Sequence, residues 1–77
     1  MNSADMMMID KIEKMNRCYM RGMITEHERT KEIMRMAAKR KYSENAVLIA
    51  SIGIQYPGTS FRSVIIGIFS DIASAND

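Results

Sequence analysis

The chain has 77 residues, with 11 Lys and Arg against 9 Asp and Glu for a net charge of +2, 47% hydrophobic residues and a single cysteine. That length leaves room for one domain with a small core, and a lone Cys18 excludes an intramolecular disulfide framework. The near balance of charge argues neither for nor against a nucleic-acid partner. Sixteen of the charges fall within residues 1–41, and only Glu44, Arg62, Asp71 and Asp77 follow, so a polar half precedes an apolar one. No leader pattern of a charged segment, apolar run and small-residue cleavage site opens the chain, and a cytoplasmic location is expected.

Residues 5–21, projected at helical spacing, put Met8, Ile9, Ile12, Met15 and Tyr19 on one stripe and Asp10, Lys14, Arg17 and Arg21 opposite. This predicts an amphipathic first helix, with residues 1–4 frayed before it and Gly22 supplying the left-handed residue that closes it. Asn16 projects into the apolar stripe, where an unpaired amide is costly. It is expected to cap, to lie at the stripe's wet margin, or to bond across an interface as a buried Asn does in coiled coils.

Thr25 and Glu28 have the spacing of a capping box, in which the hydroxyl accepts from a first-turn N–H and the carboxylate accepts from the threonine N–H. A second helix is predicted from about Glu26 to Lys41, acidic at its start and basic at its end as the helix dipole favours. The run "GMITEHE" at 22–28 resembles, as G-x-I-T-x-x-E, a helical-hairpin connection found in many unrelated bacterial and phage proteins; the resemblance implies a turn and no activity. "HERTK" at 27–31 matches the zinc-peptidase pattern H-E-x-x-H up to the second histidine, where Lys31 stands instead. His27 is the only histidine, and Cys18 with carboxylates would complete a poor tetrahedral set. His27 is therefore assigned to a helix start, and no metal, cofactor or catalytic residue is expected.

Ser43 is placed to cap a third segment, "ENAVLIASIGIQ", whose apolar residues surround a helix but also alternate as a strand would from Ala46 to Ile52. The cap, Ala46 and Ala50 favour helix. "YPGT" at 56–59 is a turn, and after a cap at Thr59 or Ser60 a fourth helix carries Phe61, Ile65, Ile68, Phe69 and Ile72 on one stripe, with Ser63, Gly67 and Ser70 behind. Residues 74–77 are expected to fray. The apolar runs 46–54 and 64–69 are each far below the ~20 residues of a membrane span, and joining them would bury Gln55, Pro57 and Arg62 in the bilayer. Both are assigned to core, and no membrane partner is expected.

The expected fold is all-α: a single four-helix domain over residues 1–77, built from two helical hairpins and self-associating through its apolar C-terminal half. Residues 46–72 offer more apolar surface than one hairpin covers, so Val47, Ile49, Ile54, Val64, Ile66 and Ile68 are the candidate oligomer interface. Arg29, Lys31, Arg35, Lys39, Arg40 and Lys41, opposed by Glu32, form the candidate surface for a nucleic acid, nucleotide or other anion. On the wheel Lys31 and Arg35 face outward, while Arg29 and Arg40 flank Ile33 and Met36. "MAAKRKYSENAVLIAS" has the spacing of a helix-turn-helix, yet its reading helix would lack side chains able to address base edges. Cys18, with Arg17 and Arg21 near it in sequence, has no base at a suitable spacing and reads as a half-buried structural thiol.

The 9 methionines include the consecutive Met6, Met7 and Met8, which cannot all face one core. They form either an adaptable partner surface or an idle arm. The chain is thus expected to be a non-enzymatic interaction protein, a homo-oligomer that binds a further protein as a small regulator or inhibitor of the kind phages and mobile elements encode. Anion binding by helix two is the alternative.

Overall fold

The structure is a computed structural model that describes residues 1–75. It is all-helical, with α1 Ser3–Met20, α2 Glu26–Lys39, α3 Glu44–Gln55 and α4 Phe61–Ala75. The segment open to two readings, 44–55, is helix, and Ser43 Oγ accepts from the Ala46 N–H at 3.2 Å to start it.

The ends of the helices follow from local chemistry. α1 begins earlier than its stripe predicts because Asn2 and Asp5 form a capping box that fixes residues 3 and 4. Gly22, with φ 75°, turns the chain after α1, and Thr25 and Glu28 close the capping box of α2 at 3.0 and 3.1 Å. α2 stops at Lys39 rather than Lys41, since Lys41 (φ 56°) and Tyr42 (φ 53°) are both left-handed. Their N–H groups donate to the carbonyls of Ala38 and Ala37. At the other end of the chain α4 remains helical through Ala75, and the expected fraying of 76 and 77 lies outside the described residues.

The packing is not confined to neighbours in sequence, although α1 meets α2 and α3 meets α4. α1, α2 and α3 all meet one another, while α4 joins on α3 and α1 and does not touch α2. α1 and α3 run the same way: Asp5 meets Asn45 at one end, and Asn16 meets Tyr56 at the other. α2 runs between them in the opposite sense, with Arg29 at the Asn16 end and Arg40 at the Asp5 end.

The core sits where these three helices meet. Ile9 and Ile12 of α1, Ile33 of α2 and Ile49 of α3 are fully buried, and Phe61 and Ile65 extend the core beneath α4. Each such side chain contributes roughly 1.5–3 kcal/mol relative to exposure. α3 approaches α1 closely at Gly53, where a Cβ would lie 2.7 Å from Ile12 Cγ2. Arg62 then ties α4 to α1, donating to Glu13 Oε1 at 2.5 Å and to Asp10. Beyond Ile65 no residue of α4 is buried, so its outer two turns carry Ile66 and Ile72 exposed and Ile68 and Phe69 only half-buried.

Candidate functional site

The basic residues of α2 do not form one surface. Arg29 lies one turn into α2, on the stripe it shares with Ile33 and Ala37, and is 2% exposed. Its Nη1 donates to Asn16 Oδ1 at 3.0 Å and to the Gly53 carbonyl at 2.9 Å, and its Nη2 donates to the Ile54 carbonyl at 3.0 Å. Arg29 is therefore corrected from an anion-facing residue to an internal one. No carboxylate pairs with it among the described residues. The last carbonyls of α3, at the negative end of that helix, and the Tyr19 ring 4.8 Å from its Cζ take the place of a counter-ion.

Asn16 is buried as its stripe position implied, and its Nδ2 also donates to the Tyr56 carbonyl at 3.4 Å. The bond it makes is within the chain. One polar cluster thus joins α1, α2 and the end of α3.

A second cluster lies at the opposite end of the bundle. Asp5, fully buried, accepts from Asn45 Nδ2 at 2.9 Å. Arg40 Nη2 stands 2.6 Å from Asp5 Oδ1 in an ion pair. Arg35 lies on the surface and is held by Glu32, its Nε 2.9 Å from Oε2. The bond holds the Glu32 carboxyl below its usual range and the guanidinium above its own. Lys31, Lys39 and Lys41 are the residues of the set that stay exposed and form no ion pair among the described residues.

The apolar set divides as well. Ile49 is fully buried in the core and so is corrected from an interface residue to a packing one. Val47 and Ile66 are exposed, at 46% and 41%, while Ile54, Val64 and Ile68 are half-buried. Val47 and Ile54 line a shallow groove between α2 and α3 with Met34 and Tyr42.

A different groove, of about 460 Å³, runs between α1 and α2. Met7, Met8 and Met36 form its floor with Ala4, and its rim carries Lys11, Arg35, Lys39 and Arg40 together with one carboxylate, Glu32. Here the run of three methionines divides: Met8 is buried, Met6 is half-buried against the core and Met7 is exposed.

The chemistry-bearing singletons stay apart. His27 is exposed, and the Glu28 beside it is occupied by the Thr25 N–H, a bond that keeps its carboxyl below the usual range. Cys18 is half-buried. Among the described residues no three His, Cys, Asp or Glu side chains converge as metal ligands, and no helix is long and apolar enough to cross a membrane.

Comparison of the chain with protein-family models, with curated proteins and with solved structures finds no match.

Proposed function

We propose that this chain is a non-enzymatic interaction protein that self-associates through the outer turns of α4. The observation that carries the reading is the absence of any buried residue in α4 beyond Ile65, although Ile66, Ile68, Phe69 and Ile72 all follow. The stripe that seats Phe61 and Ile65 on the bundle continues through Ile68 and Phe69, which pack against the core yet stay half-exposed, to Ile72, which is exposed, with Ile66 exposed on the adjoining face. A second copy, presenting the same stripe, supplies an isologous cover. Val47 and Ile54 offer further apolar surface on α3.

Anion or nucleic-acid binding by α2 has less support, because Arg29 is internal and Arg35 and Arg40 are engaged by Glu32 and Asp5. Only the three lysines remain for it.

Sedimentation equilibrium across the micromolar range tests the proposal. A mass above that of one chain is expected, falling to a single chain in Ile66→Ser/Ile72→Ser, whose sites are exposed and tolerate serine without loss of core. A single-chain mass for the unaltered protein across that range would overturn it.

A further inference from the structure

The α1–α2 groove lies away from the α4 face and combines an adaptable apolar floor with a charged rim. Its floor includes Met7, 58% exposed, beside the half-buried Met36. Methionine is flexible and polarizable, and a floor of methionines adapts to varied apolar side chains. Its rim carries cations on both walls. Arg35 and Arg40 are engaged by Glu32 and Asp5, but Lys11 on α1 and Lys39 on α2 form no ion pair among the described residues. An apolar trough flanked on either side by unpaired ammonium groups is complementary to a helix with an apolar stripe between two rows of carboxylates.

We propose that the α1–α2 groove is a docking site for an acidic amphipathic helix of a protein partner, with Met7 and Met36 receiving its apolar stripe above the buried Met8, and Lys11 and Lys39 pairing with its flanking carboxylates. The groove is walled by two helices and lined by cations as well as methionines. That shape suits a rod laid in a trough and not a flat bilayer, which needs apolar side chains standing above their surroundings.

The test uses a fluorescein-labelled synthetic helix of roughly 18 residues, long enough to be helical, with leucines at i, i+3, i+4 and i+7 and glutamates on both flanks. Its lysine-flanked counterpart is the control. Anisotropy is expected to show salt-sensitive binding of the glutamate helix alone, weakened at least about tenfold in Lys11→Glu/Lys39→Glu. Methyl spectra of methionine-labelled protein are expected to shift at Met7, Met8 and Met36 and not at Met20 or Met23.

Equal binding of the lysine helix, or binding unchanged in the double variant, overturns the proposal. So do methionine shifts produced by anionic phosphatidylserine vesicles and not by the peptide, or produced by protein concentration alone and abolished by Ile66→Ser/Ile72→Ser. Lys11→Gln/Lys39→Gln serves if charge reversal unsettles the fold. Because the groove and the α4 face share no residue, failure of self-association leaves this test intact.

Discussion

Replacing Arg29 by alanine is expected to remove a large part of the domain's stability. Its guanidinium makes three hydrogen bonds of 2.9–3.0 Å to neutral acceptors on α1 and α3. Losing the donor orphans Asn16 Oδ1 and the Gly53 carbonyl in the interior, at about 1–3 kcal/mol each. The Ile54 carbonyl, only part-buried, regains water and adds less. Relief from holding a cation out of water opposes these losses, but the dipole of α3 and the Tyr19 ring already offset much of that burden.

The net loss is about 3 kcal/mol, set against a total of roughly 4–12 kcal/mol for a chain of this length. In urea unfolding followed by far-UV circular dichroism, the midpoint should fall by about 1–3 M. Arg29→Met separates the two contributions, since it keeps an apolar stem and lacks donors. Unaltered stability in Arg29→Met would refute the hydrogen-bond argument and reduce Arg29 to a packing residue.

The same unfolding assay checks the remaining expectations. Gly53→Ala should destabilise by about 1–2 kcal/mol despite the better helix former, because its Cβ meets the buried, β-branched Ile12 at 2.7 Å. Gly67→Ala, where a Cβ meets nothing within 4 Å, should instead gain roughly 0.5–1 kcal/mol; equal effects at both glycines would rule out the close approach. Lys41→Gly should gain about 1 kcal/mol by relieving one of two consecutive left-handed residues, and a loss there would mean the lysine stem packs. Glu28 and Glu32 have folded pKa values below their ordinary 4.5. Their contribution is present in full above that value and is lost as pH falls through the lower folded ones. Glu28→Gln/Glu32→Gln should therefore flatten the acid limb of the stability profile, and an unchanged limb would contradict the assignment.

Where sequence reasoning succeeded, local chemistry was decisive. The capping box of Thr25 and Glu28, the turn at Gly22 and the stripe of α1 depend on residues within one or two helical turns, and all are in the structure. Arg29 was misplaced because its residue type outweighed its position. It shares a stripe with Ile33 and Ala37, as Asn16 does with Ile12, and two polar residues on two core stripes are a pair in waiting. That signal was available in the helical projection. Ile49 was different: α3 is apolar on nearly every side, so periodicity does not say which side faces inward, and only packing against α1 and α2 decides it. The pairing of helices was illegible for the same reason, since short loops favour neighbours in sequence while α1 finds its parallel match in α3.

That parallel match has a cost in time. Asp5 meets Asn45 and Asn16 meets Tyr56, each across a separation of 40 residues. Closing such a span costs roughly 3 kcal/mol of chain entropy before any contact returns it. During synthesis the first two helices emerge with Ile9, Ile12 and Ile33 facing no lid, and they stay so until the third has cleared the ribosome. A polypeptide interrupted near Tyr42 lacks the α3 surface that packs on those isoleucines, and is expected to expose them and to associate rather than to fold as a stable hairpin.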